Sequence, residues 1–107
     1  MMVKYEKLVR DRIPEIIAAN GEKPVTRILD DTEYRRCLEQ KLDEEAAEYR
    51  ESGELAELAD ILEVVYALCE AQGHSLEELE ALCRQKREER GGFSKKIFLV
   101  GKEPGGI

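Results

Sequence analysis

A chain of 107 residues fits one domain, 1–107, with a small core, and a domain of that size gains much from oligomerisation. Its 24 acidic against 17 basic side chains give a formal net charge of -7, which argues against a general nucleic-acid or membrane-surface binder because the phosphate groups would repel it. No apolar run reaches the length a bilayer requires, and the opening MMVKYEKLVR lacks the apolar core of a signal peptide, so a cytoplasmic protein with no membrane and no nucleic-acid partner is expected.

The segment KLVRDRIPEIIAANG reads as a short extended lead and then a helix, with Asp11 as N-cap, Pro14 in the first turn and Gly21 as the stop. Lys7, Arg10 and Arg12 crowd basic charge beside Leu8, Val9 and Ile13 in an otherwise acidic chain. Such a cluster is either a ligand contact or a salt bridge to the helices. Residues 24–29, PVTRIL, alternate and carry β-branched side chains, and 96–100, KIFLV, have the same character, so the two are expected to pair as a small two-stranded ribbon.

Asp30, Asp31 and Thr32 offer alternative N-caps for a long helix over 33–51, and Ser52-Gly53 breaks it from a second helix running to about 71 and stopping at Gly73. A connection so short makes the two helices antiparallel neighbours. Each carries an acidic pair three residues apart, Glu45-x-x-Glu48 and Glu57-x-x-Asp60. Residues at that spacing sit about 60° apart on adjacent turns, so each pair can aim two carboxylates at one place. Four carboxylates from facing helices then form an all-oxygen site suited to Mg²⁺ or Mn²⁺. In so acidic a chain such pairs also arise on solvated faces, and position relative to the apolar stripes separates the two readings. Leu38, Leu42, Ala46 and Tyr49 fill one arc, Glu45 falls inside it, and Glu48 and Lys41 lie on its edge. On the second helix Leu55, Leu58, Ala59, Leu62, Val65, Tyr66 and Cys69 form the face a small bundle buries. Ile61, Val64 and Leu68, beside Glu57 and Asp60, form a second face that calls for a partner chain.

Ser75 and Glu78 form a capping box for a last helix over 75–90, ended by Gly91-Gly92. Its stripe of Leu76, Leu79 and Cys83 continues as Lys86 and Arg90. Basic residues there either complement the helix macrodipole or meet the phosphates of a substrate whose other oxygens a metal holds. Cys37, Cys69 and Cys83, odd in number and without metal-ligand spacing, read as small buried hydrophobes, and His74 as a surface turn residue. The trailing 101–107, GKEPGGI, reads as a mobile tail.

These residues resemble the all-α nucleoside triphosphate pyrophosphohydrolases of the MazG type, which include phosphoribosyl-ATP pyrophosphohydrolase. The family signature E-x-x-E, gap, E-x-x-D corresponds to Glu45-Ala-Ala-Glu48 and Glu57-Leu-Ala-Asp60, preceded by Lys41 and Glu44. The phosphoribosyl-ATP pyrophosphohydrolase-like subgroup opens with KLVRDKIPEII and closes with K-x-x-x-R-G-G-F. Here residues 7–17 read KLVRDRIPEII, and Lys86, Arg90, Gly91, Gly92 and Phe93 supply the close. The resemblance implies an antiparallel helical bundle assembled as a homodimer or higher oligomer. It further implies Mg²⁺ on Glu45, Glu48, Glu57 and Asp60, with Lys86 and Arg90 on the phosphates; Lys41, which matches the signature, and Arg10, from the basic cluster, are further candidate substrate contacts. The activity implied is hydrolysis of a nucleoside triphosphate to the monophosphate and pyrophosphate; Glu45 and Glu48, closest to the core edge, are the candidates for a general base. The gap between the pairs is shorter than in larger MazG-type proteins, which removes pocket wall and leaves nucleotide identity open. Two alternatives stand beside it: a phosphoribosyl-ATP pyrophosphohydrolase of histidine biosynthesis, and a non-catalytic acidic helical interaction module.

Overall fold

Four helices make up the regular structure of the described residues, 1–105, in this computed structural model. Helix α1, Ile13–Ala19, holds Pro14 in its first turn, as expected. Its N-cap residue, however, is Arg12 rather than Asp11, and no side chain caps it. The Ile13 N–H donates to the Arg10 carbonyl at 3.0 Å, so a backbone turn starts the helix without a carboxylate.

Helix α2, Asp31–Ser52, starts at Asp30, whose side chain accepts from the Glu33 N–H at 2.8 Å. It ends where Gly53 turns left-handed at φ 67, with the Gly53 N–H donating to the Tyr49 carbonyl at 2.7 Å. Helix α3, Leu55–Ala71, follows at once. So tight a reversal lays α3 back against α2, and the two pack along their length. Arg35, near the start of α2, donates to the carbonyl of Ala71 at the end of α3 (2.9 Å), which fixes the antiparallel arrangement. Helix α4, Leu76–Arg90, is closed by Gly91, whose N–H donates to the Arg87 carbonyl at 2.8 Å.

The chain resolves into two units, one from Met1 to Leu76 and one beginning at Glu77. In the first, the core is Leu38 of α2 with Val64 and Cys69 of α3. Burial of Val64 departs from the expected use of the two α3 faces, although Cys69, on the face expected to be buried, is buried as well. The face bearing Glu57, Asp60 and Val64 is the one turned to α2, whereas Leu55, Leu58 and Leu62 stay exposed at 81%, 43% and 47%. The side chains of α2 explain this, because Leu38 and Glu45 are its buried positions and their partners on α3 must include the carboxylates. In the second unit every residue from Glu80 to Gly105 is exposed, Cys83, Lys86 and Arg90 included, so the stripe expected to carry Lys86 and Arg90 inward does not bury them. Cys69 is buried, with its thiol donating to the Ser75 carbonyl at 3.3 Å, and Cys37 is half-buried, whereas Cys83 is exposed rather than buried as expected; none of the three is in a disulfide. His74 is an exposed turn residue.

The expected two-stranded ribbon is not formed: among the described residues there is no strand. Segments 24–29 and 96–100 leave Val25, Ile28, Ile97 and Phe98 at least 73% exposed. A two-stranded ribbon is marginal without a surface to pack on, and neither segment has one. Of the tail at 101–107, residues 106 and 107 lie outside the described residues, and 101–105 are exposed and irregular. No helix among the described residues is long and apolar enough to cross a membrane.

The helix pair therefore depends on few side chains. Leu38→Ala is expected to destabilise the protein by about 2–4 kcal/mol, and Gly53→Ala by about 1 kcal/mol through strain at a left-handed residue. Denaturant titration followed by helical circular dichroism measures both.

Candidate metal centre

The α2 stripe that includes Leu38 also carries Glu45 seven residues on, two helical turns along the same face. Glu45 is accordingly the buried charged residue of the helix pair, 8% exposed. From α3, Glu57 and Asp60 approach it on consecutive turns. One carboxylate oxygen from each of Glu45, Glu57 and Asp60 lies within 4.8 Å of the others. Glu48, one turn after Glu45, is exposed and acts electrostatically on both Glu45 and Glu57. Three of the four sequence-derived carboxylates thus converge at the α2–α3 interface, and Glu48 lies beside them without joining the converging set.

This grouping is strained electrostatically. Burial pushes the Glu45 carboxyl above the ordinary glutamate range, the neighbouring Glu48 and then Asp60 push further, and Lys41 opposes them. Glu57 is also raised, by desolvation first and then by Glu48 and Asp60. Two cations give partial relief. Lys41 Nζ sits 3.7 Å from Glu45 Oε1, and Arg10 Nη2 sits 2.7 Å from Asp60 Oδ1. The other oxygen of Glu45, Oε2, is buried and has no hydrogen-bond partner. A buried carboxylate oxygen without a donor is costly and calls for a counter-charge.

The residues fit a hard divalent cation on the chemistry of the donor set and on this orphaned oxygen. Mg²⁺ takes six oxygen ligands at about 2.1 Å, so adjacent ligand oxygens lie roughly 3 Å apart and opposite ones roughly 4.2 Å. Three carboxylate oxygens within 4.8 Å of one another would draw in toward those spacings by side-chain rotation.

Of the remaining expected site residues, Lys41 and Arg10 are found on carboxylates of the cluster, as the salt-bridge reading of Arg10 has it. Lys86 and Arg90 belong to the second unit, where both are exposed on α4. The Arg10–Asp60 pairing escaped sequence reasoning because residues fifty positions apart share no periodic signal. The one pointer was a basic cluster set among apolar residues.

Comparison with known proteins adds one relative. Over 44 residues the chain is 61% identical to an uncharacterized protein of Mycolicibacterium smegmatis, a match covering 41% of this chain and 45% of that protein. The chain therefore spans under half the length of that relative. No family profile and no solved structure matches the chain.

The raised carboxyls set a pH dependence. A carboxyl raised in the folded state binds protons more readily there than in the unfolded chain, so it destabilises the fold while ionised in both states. Lowering the pH from neutrality toward the ordinary glutamate value, about 4.3, should remove that destabilisation. In chelator, the melting temperature is expected to rise across that window. Glu45→Gln should raise it at neutral pH and flatten the dependence.

Proposed function

We propose that the α2–α3 carboxylate cluster is a Mg²⁺ or Mn²⁺ site used to hydrolyse a nucleoside triphosphate to its monophosphate and pyrophosphate. The observation that carries this reading is Glu45, buried between two helices among other carboxylates, with an oxygen that no protein donor satisfies. A solvated acidic face would leave Glu45 in water. The resemblance of Glu45-x-x-Glu48 and Glu57-x-x-Asp60 to the MazG signature supplies the reaction class.

A divalent cation bound there supplies charge neutralisation on the triphosphate oxygens and acidifies water. The chain's own residues do the rest. Glu45, Glu57 and Asp60 offer the converging oxygens, and Glu45 Oε2 has no competing donor to surrender. Glu48 is exposed beside them and accepts the proton of the attacking water, since a base must be reachable by solvent that the buried Glu45 excludes. Water oxygen adds to phosphorus, the α–β anhydride bond breaks, and pyrophosphate departs with its electrons. Lys86 and Arg90 remain phosphate-binding candidates on their resemblance to the K-x-x-x-R-G-G-F segment.

Assembly belongs to the same proposal. Leu55, Leu58 and Leu62 form an exposed apolar row along α3, and a homodimer or higher oligomer covering it would supply the core that a few buried side chains do not. A second reading, a non-catalytic acidic module, draws on the internal cations Lys41 and Arg10, which hold part of the cluster's charge without any metal.

Pyrophosphate release from a panel of nucleoside triphosphates separates these readings. Wild type is expected to turn over at least one of them only with Mg²⁺ or Mn²⁺, and Glu48→Ala or Asp60→Ala should cut the rate by roughly a hundredfold or more with helicity retained. No release from any triphosphate would leave the non-catalytic reading standing. Sedimentation at micromolar protein tests assembly: wild type should be dimeric or larger, and Leu58→Glu with Leu62→Glu should shift it to monomer.

A further inference from the structure

The lead segment preceding α1 places a guanidinium on the acidic cluster. Arg10 Nη2 meets Asp60 Oδ1 at 2.7 Å across fifty residues of sequence, whereas the Arg12–Glu15, Arg27–Glu33 and Lys41–Glu45 pairs join near neighbours along the chain. Asp60 also contributes one of the three converging carboxylate oxygens. A guanidinium and a divalent cation therefore draw on the same carboxylate. We infer that Arg10 is a tethered counter-cation, which neutralises Asp60 while the cluster holds no metal and gives that carboxylate up when a divalent cation enters.

This rests on the metal-site reading above and adds a regulator to it. Two features make Arg10 displaceable rather than structural. The pair is open to water, with side chains 54% and 39% exposed, and an exposed ion pair contributes little against a multidentate cation. Its backbone also lies outside any helix, in the lead that turns into α1 at Ile13, so the side chain can leave without unwinding a helix. Lys41 differs on both counts: it is largely buried, lies on α2 itself, and pairs with the Glu45 oxygen opposite the orphaned one. Lys41 is thus the fixed charge and Arg10 the exchangeable one. Such a device keeps the repelling carboxylates together before a metal arrives. It also sets a threshold, since the metal must compete with a charge already present at high effective concentration.

The two roles open to Arg10 predict opposite signs. If Arg10 merely orients Asp60, its loss weakens metal binding; if it competes, its loss strengthens it. Mn²⁺ titration of the full chain, with free Mn²⁺ read by electron paramagnetic resonance, decides between them, and circular dichroism checks that the helices are retained. Arg10→Gln is expected to lower the Mn²⁺ Kd by roughly three- to tenfold at low salt, with the gap closing as salt screens the charge. Arg10→Lys, which keeps the charge, should return the Kd toward wild type. In chelator Arg10→Gln should melt below wild type. Unchanged or weaker Mn²⁺ binding by Arg10→Gln, with wild type still binding, overturns the counter-cation and leaves the metal site in place. Absence of Mn²⁺ binding in both proteins overturns the site and this inference together.

Discussion

Mutual repulsion between carboxylates at a helix–helix interface is the constraint around which the first unit is built. Glu45 is buried where an apolar residue would pack without penalty, and Glu57 and Asp60 face it from the neighbouring helix. Replacing these acids with hydrophobes would give a more stable helix pair at this position. That the chain keeps them, and surrounds them with Lys41 and Arg10, points to a use that outweighs the electrostatic penalty. Binding a hard divalent cation is the use proposed.

The fold serves this constraint through local chemistry. Asp30 sets the start of α2 and Gly53 its end, and the short link to α3 forces an antiparallel return. Register then follows: Glu45 falls within reach of Glu57 and Asp60, and Arg35 at the far end meets the Ala71 carbonyl that ends α3. Positioning carboxylates on two rigid helices rather than on loops holds them near one point even though they repel. Few hydrophobic side chains support the pair, so a partner surface along Leu55, Leu58 and Leu62 fits the proposed assembly.

Much of this was legible in the residues. Gly53, Gly73 and Gly91 adopt the left-handed backbone that ends helices, so the breaks could be read directly, as could the position of Glu45 inside an apolar arc. The α3 faces could not be ranked, because a helix that is apolar nearly all round does not say which side its neighbour takes. Only the partner, with Leu38 and Glu45 in line, decides that. The 24–29 and 96–100 segments have strand-like composition, but a strand needs a pairing edge, which local sequence does not encode. Stripe continuity likewise suggested that Lys86 and Arg90 face inward, yet the second half of α4 carries too little apolar surface to bury them. Charge pairing across fifty residues, as in Arg10–Asp60, leaves no periodic trace at all.

If these carboxylates are held together for a divalent cation, linkage between binding and stability reveals it without reference to any substrate. A cation that binds the folded protein alone must raise its melting temperature, by an amount that grows with the logarithm of its concentration above Kd. Calorimetry of wild type and Glu57→Gln, each in chelator and in increasing MgCl₂ at constant ionic strength, is the direct measurement. Wild type is expected to show a progressive rise and Glu57→Gln a much smaller one. Equal melting temperatures for wild type with and without Mg²⁺ would contradict a divalent-cation site at these carboxylates.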